Sequence, residues 1–358
     1  MTADEKPVSL ADDADLLLPE ETAARLAALT RNAAVRPDYY GNGGAVAAFE
    51  ERVAAHLGKE AAMIFPTGTM ANLIAMRILA GTAGARLVVH AQSHFFNDMG
   101  DNLSLLGGFT MVPMTGEGAG FSADDLRAEI ARARDARVAA RIGAVALESP
   151  SRRLQGRRFG AARMRAVTEV ARDAGIPLFL DGARMLIECA WSGQEPADMA
   201  APFDLVYLSL YKYLDAPFGC VLAGPAEMLR DLHHERRRFG GSLWEMWPAA
   251  VLAGAALDRQ AQEWAAARQA AAAVFDRLAE RGLPAHPHAD GTNTVPVALP
   301  PGTDMTALVS AGKARGLKLP PASGGQLPVK INASWLRCPP EALADRLADA
   351  IASTADRN

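Results

Sequence analysis

The sequence lacks the features on which disulfide-bonded, membrane-spanning and nucleic-acid-binding proteins depend. Its 358 residues include three widely spaced cysteines, which form neither a disulfide framework nor a zinc pattern and favour a reducing compartment. No uncharged apolar run approaches the roughly 18 residues that a membrane-spanning helix needs. The net charge of −4 gives no broad positive field for nucleic acid or an anionic membrane. We therefore predict no metal site, no nucleic-acid partner and no membrane partner.

Targeting and nucleotide-binding motifs are missing as well. Residues 1–21 are acidic and lack the apolar core of a signal peptide, so a cytoplasmic location is expected. No Gly-x-Gly-x-x-Gly follows a strand pattern, which argues against a nicotinamide cofactor. The composition is 50% hydrophobic and 22% charged, as in ordinary soluble globular proteins. The length suits one large domain plus a smaller one.

Apolar runs alternate with helical patterns between residues 62 and 224, and this alternation predicts the fold. The seven predicted strands are Ala62–Phe65, Arg86–His90, Phe109–Met114, Ile142–Glu148, Pro177–Leu180, Leu205–Leu210 and Gly219–Ala223. Alternating strands and helices are typical of a largely parallel sheet covered by helices. We therefore predict an α/β fold with a mostly parallel seven-stranded sheet and helices on both faces.

The character of the chain changes after residue 224. A long alanine-rich helical region, Pro248 to Arg281, is followed by a strand, helix, strand and helix pattern. This predicts a small C-terminal α+β domain. The expected division is an N-terminal segment (1–40), a large domain (41–250), and a connecting helix with the small domain (251–358).

Two predicted strands end in residues of opposite charge. Asp181 follows one apolar run, and Lys212 lies between two others. An exposed turn is the ordinary position for such a lysine, because burial disfavours its charge. However, open parallel sheets bind ligands at the carboxyl ends of their strands, where both residues would lie. Pyridoxal phosphate (PLP) needs such a pair, a lysine for its Schiff base and an acid for its ring nitrogen.

Two further features suit the same cofactor. Thr67-Gly68-Thr69 joins a predicted strand to a helix, so its backbone N–H groups and the helix dipole favour a phosphate. An ordinary helix cap is the alternative, and no Walker lysine is present. His94 stands beside aromatic residues; such a histidine is usually a packing residue, and its alternative role is an imidazole stacked on the cofactor ring.

The order of these motifs resembles the threonine aldolase branch of the fold-type I PLP enzymes, a grouping that includes the β-eliminating amino-acid lyases. The similarity runs from about Tyr40 to Gly241 and continues more loosely to the end. Its motifs are the Tyr-Gly loop at Tyr40, Pro-Thr-Gly-Thr-x-Ala-Asn from Pro66, Ser-His at His94, Asp-Gly-Ala-Arg from Asp181, x-Lys-x-Leu-x-Ala-Pro-x-Gly around Lys212, and Gly-Gly at Gly240.

The resemblance implies a role for each cofactor residue. Lys212 would form the Schiff base, Asp181 would pair with the pyridine nitrogen, and His94 would stack on the ring. Gly68 and Thr69 would hold the phosphate. The resemblance also implies a homodimer or homotetramer with shared active sites, in which Arg237 reaches the neighbouring subunit's phosphate.

The resemblance is weaker for the residues that would bind the substrate. It implies Arg184 near the cofactor hydroxyl and the substrate carboxylate, with Lys330, Tyr40 and Ser151 as further substrate-binding residues. Lys330 replaces an arginine, and a lysine is a point charge rather than a bidentate fork. Ser151, followed by two arginines, replaces the second active-site histidine of the family. Two further departures are Asp12-Asp13 in place of an N-terminal Ser-Asp-Thr segment and Trp244 in place of an arginine.

These residues predict a PLP-dependent lyase of the threonine aldolase type, which splits a β-hydroxy-α-L-amino acid into glycine and an aldehyde. His94, or a water that it orients, is the expected base, and Glu148 is the weaker candidate. β-Elimination, transamination or racemisation of another amino acid is the alternative, as is a non-catalytic PLP-binding scaffold. Three aromatic residues suit either a bulkier substrate or a core or interface: Tyr213, Trp244 and Trp247.

Overall fold

The structure is a computed structural model that describes residues 6–32, 34–81, 85–322 and 324–354. It divides into a larger unit, Leu18–Ala256, and a smaller unit built from the residues before Leu18 and those from Leu257 onward. The first residues group with the C-terminal part because Val8–Ser9 pairs in parallel with Leu317–Lys318. The sequence had predicted a separate segment for residues 1–40 and a boundary near residue 250.

Strands and helices alternate along much of the chain. The strands are β1 (Val8–Ser9), β2 (Ala61–Phe65), β3 (Arg86–His90), β4 (Thr110–Met114), β5 (Ile142–Glu148), β6 (Leu178–Asp181), β7 (Leu205–Ser209), β8 (Cys220–Gly224), β9 (Thr294–Ala298), β10 (Leu317–Lys318) and β11 (Gln326–Lys330). The helices are α1 (Pro19–Asn32), α2 (Gly44–His56), α3 (Gly68–Ala80), α4 (His94–Asn97), α5 (Asn102–Leu105), α6 (Ala123–Asp135), α7 (Ala161–Asp173), α8 (Met185–Ser192), α9 (Pro196–Ala200), α10 (Ala226–Leu229), α11 (Leu232–Arg238), α12 (Trp247–Glu280), α13 (Met305–Ala314) and α14 (Pro340–Ala352), with a 3-10 turn at Ala333–Arg337.

A seven-stranded sheet forms the centre of the larger unit, in the order β2-β8-β7-β6-β5-β3-β4. Within this sheet, β8 runs antiparallel to the other six strands. All seven predicted strands are confirmed, each to within one residue at either end. Every residue of β5, β6, β7 and β8 is buried, as expected for strands covered on both faces.

The smaller unit contains the strand, helix, strand and helix that the C-terminal sequence predicted. Its strands β9 and β11 pair in antiparallel fashion, with Val297 opposite Leu327. The predicted alanine-rich helix is α12, which begins at Trp247. Within the described ranges, no helix is both long and apolar enough to span a bilayer.

Candidate active site

Side chains from three neighbouring strands lie in a row at one edge of the large sheet. Glu148, the last residue of β5, is paired in register with Asp181, the last residue of β6. Asp181 is in turn paired with Tyr207 of β7. Because these strands are parallel, their carboxyl ends meet at this edge. Lys212 lies three residues after Ser209, the last residue of β7.

A cavity of about 330 Å³ opens at this edge of the sheet, inside the larger unit. Six of the predicted site residues line it together: Gly68, Thr69, His94, Asp181, Arg184 and Lys212. They come from four separate places in the chain and are brought together by the strand order. The amine, the buried acid and the helix start that suggested a cofactor site therefore face one common space.

One end of the cavity is formed by the start of helix α3. Thr67 caps this helix, because its side-chain oxygen accepts a hydrogen bond from the N–H of Met70. A glycine fits well after the cap, since a Cβ added at Gly68 would overlap the hydroxyl oxygen of the buried Tyr207. A helix start that is lined by Gly68 and Thr69 presents free N–H groups to an anion.

The turn that carries Lys212 is fixed at both ends. The N–H of Leu210 donates to the carbonyl of Gly219 at 3.1 Å, and the N–H of Leu214 donates to the carbonyl of Leu210 at 3.0 Å. Asp215, in a left-handed conformation, forms an ion pair with Arg25 of helix α1. These contacts hold the lysine between β7 and β8, where the sequence placed it.

Asp181 is 3% exposed. Its Oδ1 atom accepts a hydrogen bond from the N–H of Ala183 at 3.2 Å. The Asp-Gly turn after β6 allows this local bond, and it holds the carboxylate at the strand end. Gly182 fits there because a Cβ at this position would crowd the carbonyl of Tyr207 and the side chain of Met185.

Glu148 connects the end of β5 to the two loops that carry His94 and Arg152. One of its carboxylate oxygens accepts the N–H of His94 at 2.6 Å, and the other accepts the N–H of Arg152 at 3.0 Å. Burial, followed by the nearby charge of Asp181, raises the pKa of Glu148. Glu148 therefore fixes the backbone of both loops and carries a proton more readily than an exposed glutamate.

His94 is the first residue of helix α4. Burial lowers its pKa, and the charges of Lys212 and Arg152 lower it further, whereas those of Asp181 and Asp98 raise it. Its Nδ1 atom lies 3.8 Å from Oδ2 of Asp98. At neutral pH the imidazole is therefore mainly neutral and can accept a proton.

Asp98 also binds two arginines. Nη2 of Arg152 lies 2.6 Å from its Oδ2 atom, and Nη1 of Arg153 lies 3.2 Å from its Oδ1 atom. Arg152 lines the cavity, whereas Arg153 is not among the described lining residues. The loop after β5 thus brings a guanidinium into the cavity lining one residue after Ser151, which stands where the family resemblance leads one to expect a histidine.

Four predicted site residues do not join this cavity. Ser151 is 2% exposed, and its backbone pairs with Arg157. The guanidinium of Arg237 lies over the Tyr40 ring, 5.6 Å from the ring centroid. Lys330 belongs to the smaller unit, in which its Nζ atom lies 2.9 Å from Oδ1 of Asp13. The roles given to these four residues stay predictions.

Comparison with known proteins identifies the family. The family model for β-eliminating lyases matches residues 20–299, which is most of the chain and the whole of the cavity lining. The chain belongs to the β-eliminating lyase family. Membership of this family assigns PLP as the cofactor.

Relatives of this family member carry threonine aldolase names at low identity. The chain is similar to low-specificity L-threonine aldolase 1 of Arabidopsis thaliana, 28% identical over 63% of this chain and 63% of the relative. It is also similar to a low specificity L-threonine aldolase of Saccharomyces cerevisiae, 25% identical over 78% of this chain and 72% of the relative. The match thus spans less than two thirds of the length of the plant relative.

Solved structures agree on the fold of this β-eliminating lyase family member. A Leishmania major threonine aldolase superposes with a TM-score of 0.75, at 17% identity, over 98% of this chain and 100% of that one. The fold is therefore that of fold-type I PLP enzymes, as predicted.

The described cavity fits PLP. Gly68 and Thr69 at the start of α3 would hold the phosphate, the buried Asp181 would pair with the ring nitrogen, and Lys212 would supply the amine; all four line this cavity. The donor set has one anion-binding end, one acid and one amine, which are the groups that the cofactor needs.

The residues of the cavity lining that were not predicted as site residues include Tyr211 and Arg152. Tyr211 is 46% exposed and lies directly before Lys212. Arg152 was noted only as a neighbour of Ser151. Arg152 follows Ser151, where the sequence departs from the family pattern, and that departure was the available signal. None of the aromatics considered for a bulky substrate lines the described cavity: Tyr213 is buried, Trp244 packs on Tyr39 and Tyr40, and Trp247 donates to Glu245.

Proposed function

We propose that this protein is a PLP-dependent lyase that cleaves the Cα–Cβ bond of a β-hydroxy-α-L-amino acid, releasing glycine and an aldehyde. One observation carries the proposal: Lys212, Asp181, His94 and Arg184 line a single cavity beside the start of α3. The threonine aldolase names of the plant and yeast relatives support the same reaction.

PLP, when bound, supplies an electron sink for the bond that breaks at the α-carbon. The carboxylate of Asp181 keeps a proton on the ring nitrogen, because a buried acid of 3% exposure stabilises a nearby positive charge strongly. The start of α3 holds the phosphate. Lys212 supplies the amine that anchors the cofactor.

His94 is the proposed base for the β-hydroxyl proton. Its pKa is lowered by burial, so the neutral ring is available near pH 7. Glu148 is less suited to that task, because both of its carboxylate oxygens already accept backbone N–H groups. We assign Glu148 to positioning His94 and assign Arg184 to the α-carboxylate of the substrate, for which a guanidinium is the best-matched partner.

A homo-oligomer is part of the proposal. Tyr40 and Arg237 contact each other away from the described cavity lining. By resemblance, Arg237 would reach the phosphate bound in a neighbouring subunit. Analytical ultracentrifugation of the holoenzyme tests that expectation.

The proposed function is tested with wild type, Lys212→Ala and Lys318→Ala, the last a matched control whose ammonium contacts Asp12 in the smaller unit. After incubation with PLP and desalting, wild type and the control should show a visible absorbance band that Lys212→Ala lacks. With L-threonine, coupled NADH oxidation should report acetaldehyde for the same two proteins, and chromatography should report equimolar glycine.

The other possible activities give different readings. Pyruvate from L-serine would indicate β-elimination, and loss of optical rotation would indicate racemisation. A visible band with no turnover of any β-hydroxy amino acid would favour the non-catalytic scaffold. A wild-type protein without the band would overturn the cofactor assignment itself.

A further inference from the structure

Arg152 is a cavity residue that the proposed reaction does not use. Its guanidinium lines the space shared by Lys212 and His94. Among the described residues, its side chain makes one hydrogen bond, through Nη2 to Asp98 at 2.6 Å. A guanidinium has five N–H donors and no acceptor, so most of its donor capacity remains. Because it has no acceptor atom, it cannot serve as the base.

The charge around Arg152 is not fully balanced by Asp98. Arg153 binds the second oxygen of the same carboxylate, so two arginines share one acid. This group of three residues therefore keeps a net charge of +1. Its field extends into the cavity: the charge of Arg152 adds to the lowering of the His94 pKa that burial causes, and it opposes the rise that burial gives the pKa of Tyr211.

A threonine-like substrate offers only one anionic group to this cavity. That group is the α-carboxylate, which the proposed function gives to Arg184. The methyl side chain of threonine has nothing to offer a second guanidinium, and a charge-assisted donor facing a methyl group is poorly matched. Arg152 is better matched to a substrate with a second carboxylate.

We propose that Arg152 binds a carboxylate at the end of the substrate's side chain, so that the preferred substrates are β-hydroxy-α-amino dicarboxylates such as 3-hydroxyaspartate. This inference rests on the proposed function and names its substrate class. Cleavage of the Cα–Cβ bond would turn the β-hydroxyl carbon into the aldehyde of glyoxylate. The hydroxyl proton goes to the base, and the α-carbon takes a proton to give glycine. No oxidant or reductant is needed.

The acids of the cavity do not oppose this arrangement. Asp181 is committed to the ring nitrogen of the cofactor. The oxygens of Glu148 are directed to two backbone N–H groups, and its raised pKa reduces its negative charge near neutral pH. An incoming side-chain carboxylate would therefore meet the guanidinium of Arg152 with little repulsion.

The test compares kcat/KM for L-3-hydroxyaspartate and L-threonine in wild type, Arg152→Gln and Arg153→Gln. Wild type should favour the dicarboxylate. Arg152→Gln should lower the ratio of the two constants by roughly 10- to 100-fold, the scale of one charge-assisted pair. Arg153→Gln is the matched control, because it removes the same charge from the same carboxylate outside the described lining, and it should keep the ratio near that of wild type.

Binding gives a second readout that does not depend on turnover. L-Aspartate and L-2-aminobutyrate lack a β-hydroxyl group and cannot undergo the cleavage, yet they differ mainly in the side-chain carboxylate. Calorimetric titration of the holoenzyme should give tighter binding of L-aspartate to wild type and no such preference in Arg152→Gln. Arg152→Lys, which keeps the charge and loses the fork, should be intermediate and replaces the glutamine variant if that one fails to fold.

The outcomes separate this inference from the proposed function. Efficient cleavage of L-threonine without any preference for 3-hydroxyaspartate would overturn the inference and leave the proposed function standing. Equal losses with both substrates in Arg152→Gln would assign Arg152 to the α-carboxylate or to His94 and would also overturn it. Failure of wild type to cleave either substrate would remove the proposed function, and the L-aspartate titration would still decide the role of Arg152.

Discussion

Two sides of the cavity are built in different ways. The cofactor wall, which we define as Gly68, Asp181 and Lys212, comes from strand ends and a helix start that are held by backbone hydrogen bonds and close packing. The substrate wall, defined as Arg152 and Tyr211, comes from loop side chains, and Arg152 is held by an ion pair with Asp98. Backbone geometry tolerates few substitutions, whereas a side-chain ion pair can change with a single residue. This difference suggests a fixed chemistry with an adjustable substrate.

Disturbing the cofactor wall should have the largest effect. Gly68 has no left-handed backbone angle, so Gly68→Ala strains the protein only through the overlap of its Cβ with the Tyr207 hydroxyl. We expect the start of α3 to shift, with a loss of about 1–3 kcal/mol of stability and a loss of about 10²-fold in kcat/KM for every substrate. Thermal unfolding, PLP titration and kinetics measure these effects.

The double variant Gly68→Ala/Tyr207→Phe tests whether the overlap with the Tyr207 hydroxyl causes these losses. Removing the hydroxyl leaves the ring carbons at 3.0 Å or more from the added Cβ, a distance that a small shift can absorb. Partial recovery of PLP affinity in the double variant is expected. No recovery would mean that the glycine is needed for its approach to the cofactor rather than for its packing on Tyr207.

The sequence was sufficient for the cofactor wall, and the reason is periodicity. Apolar runs that end in Asp181 and near Lys212 fixed both strands and their ends, and parallel strands must bring their carboxyl ends to one edge. The seven strands were therefore predicted to within one residue.

The substrate wall could not be predicted in the same way. Arg152 and Tyr211 lie on loops, where no periodic pattern reports which way a side chain points. Ser151 illustrates the problem, because alignment with a family motif selected it, whereas the loop buries it and brings its neighbour to the cavity. Lys330 illustrates another limit, since its partner Asp13 is more than 300 residues away in sequence.

We expect the next largest effect from Glu188, whose hydrogen bond to Ser149 supports the loop of the substrate wall. Glu188 of α8 accepts a hydrogen bond from Ser149 Oγ at 2.6 Å, and Ser149 accepts the N–H of Phe159. This contact ties down the loop that carries Arg152. Burial raises the pKa of Glu188 to about 7 from 4.5. The folded protein therefore binds this proton more tightly than the unfolded chain, so the stability falls as pH rises from about 4.5 to about 7.

Glu188→Gln should keep the bond to Ser149 and remove the cost of ionisation. At pH 8 we expect a gain on the order of 3 kcal/mol in the free energy of unfolding, with little change at pH 4.5, measured by urea denaturation. Glu50→Gln is the comparison: its carboxyl also has a pKa raised to about 7 by burial, although the charge of the buried Arg236 acts to lower it, so a gain of similar size is expected at pH 8. A much smaller gain for Glu50→Gln would show that an amide cannot replace this carboxyl beside Arg236.

We expect the smallest effect on the pH dependence of kcat/KM, which reports the pKa of His94. This residue lines the cavity together with both walls. The charge of Asp98 raises the pKa of His94, and that of Arg152 lowers it. A histidine base works in its neutral form, above its pKa. Asp98→Asn should therefore move the acidic limb of the kcat/KM profile for L-threonine to lower pH, whereas Arg152→Gln should move it to higher pH.

Opposite shifts in these two variants would identify His94 as the titrating base, because the two substitutions remove charges of opposite sign from the same group. Glu148 responds to other neighbours: Asp181 and Arg184 contribute to its pKa, together with the N–H groups of His94 and Arg152. If Glu148 were the base, the acidic limb would not follow the signs of the Asp98 and Arg152 charges. The substrate wall would then select the substrate without tuning the chemistry, and the two walls would be independent.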